Sequence, residues 1–312
     1  MKIVYLAHSE MSMNCLEGLI ERSYVPEACI VSIAEGKHDS FLSGMKVVCG
    51  INGIRLLNVC DNCSDPEVET VSSLDGIAEI MSGADLGVSV GFMKILPEKI
   101  FSAPAHGTVN LHCGKLPQFR GRAPISRAIL EGEESITVSV HMMNEKMDAG
   151  DVICEIELSL NDKDDVNTMY EKCSEVSADA VMSAIGKIVA GKGNFRKQEP
   201  DLAPREKLTE AERRIDWKQD SRRIFNQVRA MTFPYPGAKF RHKGKEYVVL
   251  HAKAPKAVKA KDARPGEVVD SNEKELKVAT GSGTVVLRDL FLKGRLVKNI
   301  GKEIKKGAVL TS

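Results

Sequence analysis

The sequence predicts an α/β fold: a Rossmann-like, doubly wound and mostly parallel sheet, followed by a smaller C-terminal β-barrel of OB-like type. Three observations carry the prediction. Over the first 190 residues short apolar runs alternate with stretches of helical spacing, at about 25–30 residues per unit, the rhythm of strands joined by crossover helices. Beyond residue 206, turn residues separate four or five short β-like runs, as in a small barrel. Between the two, residues 191–205 (GKGNFRKQEPDLAPR) are polar, contain two prolines and have no periodicity, which marks a connection. The expected division is an α/β domain over 1–190, a linker over 191–206 and a barrel over 207–312. A chain of 312 residues is long enough for two cores.

In chain order, Lys2 to Ala7 is a compact apolar run and the first strand, and Met13 to Ile20 has helical spacing. Ala28 to Ile33 is the second strand. Met45 to Gly50 leads into a third short strand at Ile54 to Leu57. Val68 to Met81 is spaced as a helix and Leu86 to Val90 as a strand. Val109 to His112 alternates and reads as a strand; Ser126 to Leu130 is a short helix, Ile136 to Met142 a β-rich run and Val166 to Val189 a long helix. After the connection, Ser221 to Ala230 is helical and Phe233-Pro234-Tyr235-Pro236-Gly237 forces a turn. The barrel strands are expected at Ala238 to Arg241, Glu246 to Ala252, Gly266 to Asp270, Leu276 to Thr280 and Thr284 to Leu290. Lys253 to Lys261 is lysine-rich and expected to be an exposed loop.

Several function classes are excluded. The turn after the first strand, AHSEMSMN, has no glycine, so pyrophosphate cannot approach the backbone as in a dinucleotide site. No Gly-Lys-Ser/Thr loop is present to cradle a triphosphate. No run reaches the roughly 18 apolar residues of a membrane span. The start, MKIVYLAHSE, lacks the apolar core of a signal peptide, so the cytoplasm is the expected location. The eight cysteines lack the dense spacing of a secreted disulfide framework. Cys60 and Cys63 form half of a zinc motif with no second pair at a suitable interval; a loop with two thiols is the alternative, and no metal is expected.

The net charge of +1 hides an asymmetry. Residues 201–312 hold 26 basic and 14 acidic side chains, a net +12, which leaves −11 for the rest. Such a basic module suits an anionic partner, RNA or a phosphorylated ligand; lysines that keep a small β domain soluble are the alternative.

The stretch from Thr108 to Asp151 concentrates the residue types of proton-transfer chemistry. Asn110 and His112 alternate along a strand and project to one face, at its carboxyl end, where open α/β sheets bind ligands. His112 is open to three readings: a satisfied structural histidine, a general acid or base, or a metal ligand. The last is weakened because neither His106 nor His141 has ligand spacing to it. Asp148, in the turn Asp148-Ala149-Gly150, is either a turn-former bonding its own backbone or a member of a site.

The run VNLHCGKLPQFRGRAP, followed by Met147-Asp148-Ala149-Gly150-Asp151, resembles the signature of the formyltransferases that use 10-formyltetrahydrofolate. These carry an Asn-x-His pair, a leucine-proline loop with Arg-Gly, and an Asp-x-Gly after the next strand. The likeness extends in register to SVGFMKILP (Ser89 to Pro97), similar to the family's folate-side loop. It also takes in RIDW (Arg214 to Trp217) and RAMTFPYPGA (Arg229 to Ala238), similar to the start of its C-terminal domain. One departure is Cys113-Gly114-Lys115, where many relatives have a serine-leucine pair.

By this resemblance Asn110, His112 and Asp148 are the catalytic residues of an acyl transfer. Asn110 would donate to the developing oxyanion. His112 would take the amine proton as a neutral base, or stabilise the oxyanion when protonated. Asp148 would orient the imidazole or relay a proton through water. The folate side is expected to use Phe92, Met93, Ile95, Leu96, Val140, His141, Met142, Met143 and Asn144, whose alternative is plain core packing. Lys115, Arg120, Gly121, Arg122 and Pro124 are expected on the acceptor side. Within the family the acceptor is the amine of a nucleotide-linked sugar or that of methionyl-tRNA. The FRGRAP run, His141 and the PYPGA form favour the sugar, and the basic C-terminal stretch favours tRNA. The segment AEGKHDSFLSGMK, short and without the Arg/Lys-Gly-rich loop usual in the tRNA enzymes, weighs against tRNA. A binding module that keeps the fold without catalysis is the remaining alternative.

Overall fold

The computed structural model describes residues 1–32, 40–59, 68–71, 74–191, 194–254 and 263–312. Cys60 and Cys63, residues 33–39 of the segment after the second strand, and most of the lysine-rich run after Lys253 lie outside the described residues.

The first half runs β1 (Ile3–Ala7), α1 (Glu10–Glu21), β2 (Ala28–Val31), α2 (Ser40–Ile51), β3 (Arg55–Val59), β4 (Glu69–Val71), α3 (Leu74–Ser82), β5 (Leu86–Val90), α4 (Glu98–Phe101) and β6 (Thr108–His112). Then follow α5 (Pro124–Glu131), β7 (Ser135–Met142), β8 (Val152–Ser159) and α6 (Val166–Val189). The strands form one eight-stranded sheet in the order β4-β3-β2-β1-β5-β6-β7-β8. Pairs from β4 across to β6 are parallel, and β7 runs antiparallel to β6. The order reverses between β1 and β5, which makes their carboxyl ends the crevice of a doubly wound sheet. Central strands are buried throughout: Ile3 to Ala7, and Leu86 to Val90, read as continuous apolar or small runs because helices cover both faces. One core packs Val4, Leu6, Ile30 and Leu57 against Ile77, Met81 and Ile100.

Two expectations change. Val68 to Met81 is not one helix: the β-branched Thr70 and Val71 pair in parallel with β3 as an edge strand, and α3 starts only at Leu74. β8 is an additional strand, signalled by the alternation Glu155-Ile156-Glu157-Leu158.

Two compact units are present. The first comprises Met1–Gly121, Thr137–Leu158 and Tyr170–Arg205; the second comprises Arg122–Ile136, Ser159–Met169 and Glu206–Ser312. The segment read as a linker is tied into the first unit by hydrogen bonds between Arg196 and Val152 and from Arg205 to the Arg120 carbonyl.

In the second unit α7 (Ser221–Met231), capped by the Asp220 carboxylate, packs with α5, where the Ser126 hydroxyl donates to the Ala230 carbonyl at 2.8 Å. The barrel strands are β9 (Ala238–His242), β10 (Lys245–Lys253), β11 (Val268–Ser271), β12 (Leu276–Ala279), β13 (Thr284–Leu292) and β14 (Arg295–Leu296), with a single-turn α8 (Ile300–Glu303). They form an antiparallel sheet ordered β11-β12-β13-β10-β9, with β14 paired to β13. Its two edges are joined by the C-terminal segment: Glu267 bridges to Val309 on one side and Arg241 to Thr311 on the other. Closure removes free edges, and the interior fills with Trp217, Phe240, Tyr247, Leu287 and Leu290. Among the described residues no helix is long and apolar enough to cross a membrane.

Candidate active site

The site lies where β6 ends in the first unit. Asn110 and His112, two positions apart, face the same side of the sheet. On the neighbouring parallel strand Ser89 is in register with Asn110, and its hydroxyl donates to the Asn110 Oδ1 at 3.0 Å. That bond, together with the Asp148 carboxylate, fixes which end of the amide is which: Nδ2 points to Asp148 Oδ1 at 3.4 Å. On the other side β7 places His141 opposite Asn110, with Nε2 3.3 Å from Asn110 Nδ2 and 3.5 Å from Asp148 Oδ1.

Asp148 arrives from the turn after β7. Its backbone is left-handed, φ +50°, a conformation that a short polar side chain tolerates better than most. The carboxylate accepts from the Gly121 N–H at 2.9 Å and lies 3.6 Å from His112 Nδ1. Gly121 is required there: its φ is +93°, and a Cβ would come within 2.5–2.6 Å of the Arg205 backbone. The other imidazole nitrogen, Nε2, meets the Phe119 carbonyl at 2.6 Å. A carbonyl only accepts, so Nε2 carries the hydrogen and the Nδ1 lone pair faces the carboxylate side.

The electrostatics follow from this packing. Burial pushes the His112 imidazole below its ordinary value; Asp148 and the Phe119 carbonyl oppose that shift, and His141 adds to it. His112 is 7% exposed, and its burial favours the neutral imidazole. Burial acts to raise the Asp148 carboxyl, but the neighbouring His112 and His141 imidazoles and the Gly121 N–H outweigh it and hold Asp148 far below the usual carboxylate range. The site thus pairs an ionised carboxylate with a neutral imidazole whose free nitrogen turns toward it. Such an imidazole can accept a proton and have the resulting charge stabilised in place.

The other expected residues divide. Met93 and Ile95, after β5, are 59% and 79% exposed, whereas Leu96 is buried and Phe92 and Met143 pack partly against the core. Val140 is fully buried, Met142 is half-buried, and Asn144 is exposed and caps its own turn by accepting from the Lys146 N–H. His141, expected on the folate side, stands beside the trio instead. Lys115 is exposed. Arg120, expected to meet the acceptor, is 2% exposed, and its guanidinium is spent on Gln198, Asp201 and the Leu202 carbonyl. Arg122 and Pro124 belong to the second unit, where Arg122 is exposed and Pro124 opens α5. Among the described residues no group of three or more His, Cys, Asp or Glu side chains is arranged to hold a metal ion.

Sequence reasoning missed Ser89 and Gln198. Ser89 was legible in principle, as the position across from Asn110 on an adjacent strand. Gln198 was not, because it sits in an aperiodic stretch whose path no local pattern predicts.

Residues 74–185 match the formyl transferase family, and residues 207–301 match the formyl transferase C-terminal domain. The methionyl-tRNA formyltransferase of Enterococcus faecalis is 31% identical over 290 residues, covering 92% of this chain and 90% of that one. The chain belongs to the formyl transferase family. The resemblance read from the motifs is therefore borne out, as is the enzyme class: this is a formyltransferase. Among solved structures, the N-formyltransferase from Helicobacter canadensis in complex with folinic acid and dTDP-3-aminofucose superposes with a TM-score of 0.68 at 17% identity, covering 93% of this chain and 100% of that one. HypX from Aquifex aeolicus in complex with tetrahydrofolic acid gives 0.63 at 21% identity over 94% of this chain, which spans 44% of the HypX chain. At these identities the likeness is one of fold.

Proposed function

We propose that this formyltransferase moves a formyl group from 10-formyltetrahydrofolate to a primary amine, with Asn110, His112 and Asp148 as its catalytic residues. The observation that supports the reading best is the arrival of the Asp148 carboxylate, from a separate turn, 3.6 Å from His112 Nδ1 and 3.4 Å from Asn110 Nδ2. The donor supplies an electrophilic formyl carbon. Asn110 Nδ2 donates to the oxygen as it becomes an oxyanion. His112 Nδ1 takes the proton from the attacking amine and returns it to the departing donor nitrogen, so the enzyme ends unchanged. Asp148 stabilises the imidazolium between those two transfers. Met93 and Ile95 are exposed apolar side chains after β5, and with Phe92 and Met143, which are only partly buried, they suit contact with a flat pterin.

The base role fixes the pH dependence. A base must be neutral to act, and the His112 transition lies below the ordinary 6.5. Turnover is therefore expected to rise with pH through a midpoint below 6.5, the ordinary imidazole value. An acid limb centred above 6.5 in a kcat–pH profile contradicts the assignment.

For the acceptor we infer an amine on a nucleotide-linked sugar. Eight residues separate β2 from α2, too few for the long basic loop usual in the tRNA enzymes. The sugar-like features that remain are His141 at the site, the PYPGA form and the FRGRAP run apart from Arg120, which is committed elsewhere. Methionyl-tRNA is the second reading, favoured by the full-length similarity to methionyl-tRNA formyltransferases and by the +12 of residues 201–312. Incubation with 10-formyltetrahydrofolate and each acceptor, with salt varied, decides between them. Binding through 6–10 phosphates weakens by about 10³–10⁵ between 50 and 200 mM salt, whereas a nucleotide-sugar loses far less. Formylation of methionyl-tRNA with that steep dependence, and none of the amino-sugar nucleotide, reverses the order.

A further inference from the structure

We infer that Gln198 is a positioning residue for catalysis: its side-chain amide grips the backbone on both sides of the Asp148 turn and so sets where the Asp148 carboxylate stands. The inference rests on the proposed role of Asp148. Gln198 is 8% exposed. Its Nε2 donates to the Asp148 carbonyl at 2.9 Å and to the Gly150 carbonyl at 2.6 Å. Its Oε1 accepts from Arg120 Nε at 2.8 Å. The orientation of the amide is chemically determined, because carbonyls only accept and a guanidinium only donates. Both amide hydrogens are thus committed to one three-residue turn.

Arg120 holds Gln198 in turn. From its buried position it donates to Asp201 Oδ1 at 2.7 Å and to the Leu202 carbonyl at 3.0 Å, bolting the 198–202 segment down. Asp201 also accepts from Lys146, two residues before Asp148, at 2.6 Å. The Asp148 turn is therefore gripped through its carbonyls from one segment, while the carboxylate is received by the Gly121 N–H from another. Asp148 has φ +50°, so its conformation has to be imposed by surrounding contacts. A rotation of that backbone changes the 3.6 Å separation of Oδ2 from His112 Nδ1. Reactive groups displaced by about 1 Å lose rate on the order of a hundredfold, so a grip on this carbonyl acts on the chemistry as well as on the fold.

The test compares wild type, Asp148→Ala, Gln198→Met and Gln198→Asn in the full chain. Gln198→Met keeps the length and removes the donors; Gln198→Asn keeps the amide but falls a methylene short of the turn. The readouts are kcat and both KM values with the active donor–acceptor pair, thermal melting, and the His112 imidazole titration by NMR, which needs no substrate. The groups facing that imidazole are Asp148, His141 and the Phe119 carbonyl. Both Gln198 variants are expected to lose at least about tenfold in kcat with KM within about twofold. Their His112 titration is expected to fall further, by about half a unit, as the carboxylate that supports the charged form moves away. If Gln198→Met does not fold, Gln198→Asn decides by the same readouts. Variants with wild-type kcat and an unmoved His112 titration, beside an inactive Asp148→Ala, overturn the inference and leave the catalytic trio standing. A fully active Asp148→Ala removes the trio itself.

Discussion

His112→Ala and Asp148→Ala are each expected to lower turnover at least about a hundredfold while the chain stays folded. The magnitude comes from proton transfer: a positioned base accelerates such steps by about 10²–10⁴. Alanine at 112 removes the proposed base, and alanine at 148 removes the carboxylate proposed to stabilise its imidazolium. The two should not be additive, since each disables the same proton relay; the double variant is expected near the weaker single. Folding should survive because Asn110 still has Ser89, and the Asp148 turn is still gripped through its carbonyls by Gln198. Single-turnover rates with circular dichroism on the same samples check both halves. Near-normal rates in either variant remove that residue from the site.

Gly150→Ala is the second change expected to be severe, although it adds only a methyl group. A Cβ at 150 would fall 1.9 Å from the Met142 carbonyl oxygen and 2.8 Å from its carbon, both backbone atoms that cannot swing aside. Next door the Met142 N–H donates to the Asp151 carbonyl at 2.9 Å, so relief requires parting the end of β7 from the chain that enters β8. Forcing atoms into a packed site of this kind costs about 1–3 kcal/mol. The displacement also reaches Asp148 two positions away and the Gly150 carbonyl that Gln198 holds. Melting temperature and kcat are thus expected to fall together. A variant with unchanged melting and unchanged kcat means that the turn is built differently from the geometry described.

Much of the fold was legible in the sequence because parallel strands buried on both faces and crossover helices leave strong local patterns. The first strand, the strand that carries Asn110 and His112, the long helix from Val166 to Val189 and the five main barrel strands declare themselves by apolar runs, spacing and the turn residues between them. The failures have local causes. At Glu69–Val71 three residues are too few to show a period, so a helix-like stretch absorbed an edge strand. At Val152–Ser159 the apolar start hid the alternation that follows. Barrel closure by Val309 to Thr311 could not be foreseen, since isolated bridges carry no sequence pattern.

By itself, the sequence determined which side chains share a face. A two-residue period sends Asn110 and His112 to one side of their strand, and the motifs around them identify the family. Only the tertiary structure decided what meets them there. The register of β7 against β6 brings His141 opposite Asn110, and the left-handed turn at Asp148 returns a carboxylate to His112. A stretch without periodicity delivers Gln198 beneath that turn. The physical reason is that periodicity is a property of neighbouring residues along one chain. Strand register, the conformation of a single turn residue and the path of an irregular segment are set by contacts between residues tens of positions apart.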